Sequence, residues 1–328
     1  MEVHAVTDLM TAAVLERFGG PGEFKLTRIP RPTRINDELL IEIHAAGVNP
    51  LDAKTRVGQG VSAAVDSLPT VLGHDFSGVV VESPYDAHPL QPGDAVYGFI
   101  PVPRYSGSYA GYASVPSLCV APKPVGLSHT EAAAVPVAAL TAWGVVTTVA
   151  KAHERQRILI HAAAGGVGHF AVQFAAYFGA HVIATASTRN LEWVRSLGAR
   201  ETIDHTTHHF EDELEDVDVV IDLVGNLTHQ VATKSLKVLR KNGLIVSVPS
   251  GSWPTMHEEA AAAGVRATGY RVTPDAATLA VISRLLEQGS VRPHIDEIFP
   301  LRDVSAAHER IETGHVRGKL VLDTTVLP

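Results

Sequence analysis

The sequence predicts a mixed α/β chain of two domains, one a β-rich, partly closed barrel and the other a doubly wound parallel sheet. Three observations carry this. The first 125 or so residues are short β-favouring runs cut by turn-forming segments. From about residue 131, strand-like and helix-like segments alternate. After a helix at 275–288, the tail returns to strand-like runs. The 328 residues, 45% hydrophobic and 19% charged, suffice for roughly two buried cores.

The N-terminal strands are AAVLERF, FKLTRIP, ELLIEIHAAGV, FSGVVVES and DAVYGFI. GGPGE, RPTRIND and YDAHPLQPGD separate them, and no long helical pattern interrupts. The segment 131–150 is alanine-rich but carries Glu131 and Pro136, so it reads as a packed helix. Then follow strand 157–163, helix 166–179, strand 181–187, helix 190–198 and strand 201–204. Strand 217–223, helix 227–241, strand 244–250 and a last strand in GVRATGY complete the alternation. RILIHAA, HVIATAS and DVVIDLV are almost wholly apolar, as strands covered on both faces must be. Repeated β-α units give a right-handed parallel sheet. HIDEIFPL, a short helix VSAAHERIE and GKLVLDTT close the chain and are expected to rejoin the first domain.

Composition excludes several classes. The single cysteine, Cys119, allows neither an internal disulfide framework nor a cysteine-built zinc site, which fits a reducing, cytoplasmic setting. A net charge of −8 without a basic block argues against nucleic acid and anionic membrane as partners. No apolar run reaches the ~18–20 residues of a membrane span. The N-terminus lacks a basic region leading into an apolar core, so a secretory signal is not expected, and residues 1–9 read as a loose extension.

The chemistry starts at HAAAGGVGHF, directly after RILI. Ala163, Gly165 and Gly168 form a G-x-G-x-x-G pattern with alanine first. The pattern alone is weak, but here it follows a strand and opens a helix within a β-α-β unit, the arrangement that cradles a pyrophosphate. Gly165, Gly166 and Val167 would bring backbone to the phosphates, and Gly168 would let helix and strand pack closely. The acidic residue that would hold a ribose diol, ~20 residues on, is missing from ATASTRN. Ser187, Thr188 and Arg189 stand there instead, a hydroxyl pair and a guanidinium suited to a 2′-phosphate. NADPH is therefore expected over NADH. Helix capping by Ser187 and Thr188, and a solvated Arg189, are the competing readings.

AAGVNPLDAKTR at 45–56, LPTVLGHDFSGVV at 68–80, AAAGGVG at 162–168 and ETGHVRGKLVL at 312–322 together resemble the medium-chain dehydrogenase/reductases. They are most similar to the zinc-free quinone oxidoreductase branch, with its zeta-crystallin-like and alkenal reductase-like members. The resemblance implies a GroES-like catalytic domain from 1–130 and 273–328, a Rossmann domain over 131–272, and a cleft for nicotinamide. Zinc alcohol dehydrogenases of the superfamily hold zinc with Cys, His and Cys. Here those positions fall on Asn49, His74 and about Val137, and one ligand of three makes no catalytic zinc site. His74 then reads as a hydrogen-bonded structural histidine, and HTTHH at 205–209 as a loop.

The resemblance places Asn49 at the nicotinamide ribose and Thr141 against the ring. Lys54 is the candidate cation for the site, with a solvated lysine as its alternative. Val224, Lys319 or Arg317, and His205 beside the adenosine phosphate are further expected cofactor contacts. Tyr109 and Tyr112 line a pocket or simply pack. Without a Lewis acid, alcohol oxidation is hard, whereas a quinone or an α,β-unsaturated carbonyl needs only hydrogen-bond donors at its oxygen. Enoyl-thioester reductases of the superfamily carry a tyrosine after the N-P-x-D motif; RVGQGVSAAVD has none. The expectation is a zinc-independent NADPH:quinone oxidoreductase or alkenal-type reductase. Enoyl-thioester reduction and a non-enzymatic NADPH-binding role are the alternatives. Loops 58–68 and 101–110 would wall the pocket, and a homodimer would pair through the strand at 264–271.

Overall fold

A computed structural model describes residues 8–101, 107–226 and 229–326. Two compact units divide them: Met1–Val137 with Thr273–Glu287 and Pro293–Pro328, and Ala138–Val272 with Gln288–Arg292. Residues 131–137 thus go with the first unit, and 288–292 with the second.

The first unit begins with β1 (Leu9–Leu15) and β2 (Phe24–Pro30), antiparallel neighbours, then β3 (Glu38–Val48). Leu9 is paired with Pro30, so the expected loose extension stops short of it; residues 1–7 lie outside the described residues. After β3 the chain makes a helix, α1 (Pro50–Arg56), in the stretch read from sequence as unbroken strand and turn. Its start is written locally: Asn49 at the N-cap, Pro50 at the first turn, and Asp52 Oδ2 accepting the Asn49 N–H at 2.8 Å. There follow β4 (Thr70–Val71), β5 (Asp75–Glu82), β6 (Ala95–Phe99), β7 (Tyr112–Pro116) and β8 (Val120–Pro122). Two helices, α2 (His129–Ala133) and α3 (Pro136–Trp143), and a π-helix at Gly144–Val149 occupy the alanine-rich segment. Pro136 breaks it where one continuous helix was expected.

The second unit contains β9 (Arg157–Ile160), α4 (Gly168–Tyr177), β10 (His181–Ala186), α5 (Leu191–Ser196), β11 (Glu201–Asp204) and a helical turn, α6 (Phe210–Glu213). It continues with β12 (Val217–Asp222), α7 (Val231–Ser235), β13 (Leu239–Ser247), α8 (Met256–Ala262) and β14 (Arg266–Gly269). The strands lie in the order β11-β10-β9-β12-β13-β14, all parallel. Ile158, Leu159, Ile160, Val220 and Ile245 are fully buried, as the apolar runs required. Helix 227–241 is corrected to Val231–Ser235, with 227–228 outside the described residues. Lys237, Leu239 and Arg240 are good helix formers, yet Leu239 pairs with Val217 and Asn242 turns in the left-handed region at φ 59°.

The chain then returns to the first unit with α9 (Ala276–Glu287), β15 (Ile295–Pro300), α10 (Val304–Glu312) and β16 (Lys319–Asp323). Its larger sheet runs β15-β16-β3-β5-β6-β8, with β7 also on β3. Tyr97 anchors α9 by donating to the Leu279 carbonyl at 3.0 Å and meeting Ser283 Oγ at 2.9 Å. No helix among the described residues is long and apolar enough to cross a membrane.

Candidate cofactor cradle and buried lysine site

In the parallel sheet the order reverses between β9 and β12, and ligands of such sheets bind outside the strands' carboxyl ends at that reversal. The glycine turn sits there, between β9 and α4. Ala162 takes a left-handed φ of 48°, and its carbonyl accepts the Gly165 N–H at 2.9 Å. A Cβ on Gly168 would come within 2.2 Å of that same carbonyl and 2.8 Å of Ala163. Gly168 is therefore fixed by the close approach of the helix start to the turn. A Cβ on Gly165 would meet only the Ala162 carbonyl, at 3.3 Å. A Cβ there would need that one carbonyl to give by a few tenths of an ångström and would otherwise stand in open space, the space an approaching phosphate requires. Gly166 and Val167 complete the turn, half-buried, ahead of α4, whose His169 and Ala171 N–H groups donate back to the Gly165 and Val167 carbonyls at 3.0 Å.

At the ends of the next strands the structure adds a carboxylate that counting along the sequence did not find. Asp204 ends β11 and is in register with Ala186 at the end of β10. The Thr188 hydroxyl donates to Asp204, and Thr206 donates to it through both its N–H (2.9 Å) and its hydroxyl (2.6 Å). These donors, Thr188 foremost, hold the Asp204 carboxyl down at about 2. Thr188, read as a phosphate ligand, thus spends its proton on Asp204. Ser187 Oγ accepts from Asn190, Arg189 is exposed, and His205 is exposed with its N–H on the Ala186 carbonyl. Val224 follows β12, and its N–H is held by Asp222 Oδ1 at 2.9 Å together with that of Gly225 at 2.8 Å. Ser247, at the end of β13, donates to the other Asp222 oxygen at 2.8 Å. Asp222 therefore shapes the loop beside the cradle; its place at the end of an apolar strand was the available signal. Thr141, on α3, is buried in this unit.

Beneath the turn lies His161, 1% exposed, its Nδ1 3.1 Å from Thr185 Oγ1 and its Nε2 2.9 Å from Ser235 Oγ. Burial pulls its pKa down to about 4, against the opposing pull of Asp222. Along the same edge, Ser247, Pro249, Trp253, Met256, Tyr270 and Arg271 help line a depression of about 350 Å³ at the carboxyl ends of β13 and β14. It lies on the edge where the sheet's ligands bind, and sequence reading did not name it.

The first unit holds the second constellation. Lys319, expected with Arg317 as the alternative to reach the cofactor, is buried, and its ammonium is hydrogen-bonded within the chain. It donates to Asn49 Oδ1 (2.5 Å), Asp75 Oδ2 (3.0 Å) and the Val48 carbonyl (3.2 Å). Asn49 Nδ2 donates to Asp75 Oδ2 at 3.0 Å, and Asp75 Oδ1 accepts the Val137 N–H at 2.7 Å. Asp52 takes the Asn49 backbone N–H, and the Asn49 side chain serves this network. Burial pushes the Asp52 carboxyl up, with His74 Nε2 3.8 Å from its Oδ1. His74 Nδ1 meets the Ile100 carbonyl at 3.0 Å, and Tyr109 is fully buried. Lys54 is half-buried on α1 and forms no ion pair among the described residues. Tyr112 donates to Glu42 at 3.1 Å.

The donor set does not suit a catalytic zinc. Asn49, His74 and Val137 supply one good zinc ligand, and the Asn49 oxygen faces a lysine cation. Among the described residues, no group of three or more His, Cys, Asp and Glu side chains could hold a metal ion.

Comparison with known proteins places this architecture. The alcohol dehydrogenase GroES-like domain model matches residues 35–125, and the zinc-binding dehydrogenase model matches residues 197–322. The chain is 37% identical to the chloroplastic NADPH-dependent alkenal/one oxidoreductase of Arabidopsis thaliana, over 95% of this chain and 79% of that protein. It is 33% identical to the mitochondrial NAD(P)H oxidoreductase RTN4IP1 of Mus musculus, over 97% of this chain and 90% of the relative. Among solved structures, the quinone oxidoreductase of Coxiella burnetii superposes with a TM-score of 0.91 at 38% identity, over 97% of this chain and all of that one. With two family models along its length and relatives this similar almost end to end, the chain belongs to the medium-chain dehydrogenase/reductase superfamily, in its quinone oxidoreductase branch.

Proposed function

We propose that the chain is an NADPH-dependent oxidoreductase that reduces quinones or small α,β-unsaturated carbonyls without zinc. The observation that carries this reading is the open turn at Gly165–Gly168 in a chain 37% identical to an NADPH-dependent alkenal/one oxidoreductase. The turn and the first turn of α4 would hold the pyrophosphate, and Arg189 with Ser187 the 2′-phosphate. When bound, the cofactor supplies hydride. The chain's own residues bind and orient. Asp222 fixes the Val224–Gly225 loop, and His161, neutral near pH 7, supports the strand ends under the turn. Asn49 is held in one orientation by Asp75 and Lys319, with Lys54 as a nearby half-buried cation on the same helix. Hydrogen bonding to a carbonyl or quinone oxygen is enough to stabilise the charge that hydride addition develops there. The sequence of His74, Asn49 and Val137 supports zinc independence on its ligand chemistry. The open ladder edge of β14 supports pairing of two copies through that strand.

NADPH consumption with 1,4-quinones, short alkenals and crotonyl thioesters, measured side by side, tests the proposal. Turnover of a quinone or an alkenal, unchanged after dialysis against a chelator, is expected. Turnover of the thioester alone, or loss of activity restored by zinc, would overturn it.

A further inference from the structure

The amino edge of the parallel sheet, opposite the cradle, carries a second polar depression of about 470 Å³. It is lined by Glu154, Arg155, Arg157, Gly179, His181 and Arg200. The topology gathers them: Arg157 opens β9, His181 opens β10 in register with it, and Arg200 directly precedes β11. Local partners leave the arginines unused. His181 is paired with Glu201. Asp218, which accepts the Arg157 backbone N–H at 2.7 Å, gives its other oxygen to Arg240. Among the described residues, Arg155, Arg157 and Arg200 form no ion pair, and the Arg157 Nε is buried without a hydrogen-bond partner. Glu154 and the carbonyl end of α4, beside Gly179, offset only part of the three positive charges. A chain of net charge −8 thus concentrates three unspent guanidinium groups around one hollow.

We propose that this hollow is an anion site for a phosphorylated small molecule, separate from the cofactor cradle. A guanidinium presents a planar fork of donors that matches phosphate oxygens, and three around one space suit a group with more than one phosphate. The volume falls in the range of small-molecule sites and exceeds what a lone phosphate fills. The proposal is independent of what the cradle binds.

Calorimetric titration of inorganic pyrophosphate into the full-length protein, with and without saturating NADP+, tests it. One saturable event that persists in NADP+ is expected. Arg155→Gln/Arg200→Gln changes two exposed side chains and should weaken that event at least tenfold, leaving NADP+ affinity within twofold. Arg157→Gln should weaken it further, with circular dichroism confirming the fold. Absence of a saturable event in saturating NADP+, or indifference of that event to the arginine substitutions, would overturn the site. The arginines would then serve as counter-charges to the α4 carbonyl end.

Discussion

Lys319 Nζ lies 3.0 Å from Asp75 Oδ2, and the two side chains are 3% and 0% exposed. Around them, Asn49 contributes both halves of its amide and Val137 its N–H, so the buried charges are paired and hydrogen-bonded. Such a pair contributes little net stability when intact but is costly to break from one side. Lys319→Met should therefore destabilise the chain by about 3–5 kcal/mol, by leaving Asp75 buried without its cation. Lys319→Met/Asp75→Asn should recover part of that loss. Urea unfolding of the three proteins checks it, and a double variant no more stable than Lys319→Met would contradict the pairing argument.

Two glycines of the turn should separate cleanly. Gly168→Ala puts a methyl group 2.2 Å from the Ala162 carbonyl and should lower the melting temperature by several degrees. Gly165→Ala meets only that carbonyl at 3.3 Å, so the fold should hold while NADPH affinity falls tenfold or more. Thermal melts and fluorescence titration with NADPH distinguish the two effects. Equal melting losses would show that Gly165 is structural.

Cofactor choice should rest on Arg189. A charge-assisted phosphate contact contributes ~1.5–3 kcal/mol, so Arg189→Ala should lower kcat/KM for NADPH by roughly tenfold or more and leave NADH unaffected. Asp204→Asn removes a negative charge held beside Thr188 and should shift the preference further toward NADPH. Steady-state kinetics with both cofactors decides.

Acid should unfold the chain through its buried histidines. His161 titrates at about 4 and His308 at about 3, both pulled down by burial, against about 6.5 in the unfolded chain. Below pH 6.5 the unfolded state binds more protons than the folded one, so stability is full above that value and drains as pH falls toward 4. For His161 the loss is on the order of 3 kcal/mol. His161→Gln, able to keep contacts to Thr185 and Ser235, should flatten the fall in melting temperature between pH 6.5 and 4.5. A parallel slope in wild type and variant would remove His161 from the account.

Much of the candidate site was legible because its signals are local. A strand, three small residues and a helix start lie within a dozen positions, so the cradle could be read at Gly165 and Gly168. Asn49-Pro50-x-Asp52 carries a full helix-start signature, although the strand-rich surroundings hid α1. One misreading, helix 227–241, has a plain cause. Leu239 was judged by its neighbours in sequence, whereas Val217 determines where it goes.

The sequence by itself determined the fold class, the parallel sheet and the glycine turn, because alternation of apolar runs and the conformational freedom of glycine act over a few residues. Only the tertiary structure decided that Lys319 closes on Asn49, 270 residues away, that Asp204 stands beside Thr188, and that three arginines share one hollow. Those outcomes depend on which strands become neighbours, and buried charge is settled by the partners that the whole fold delivers.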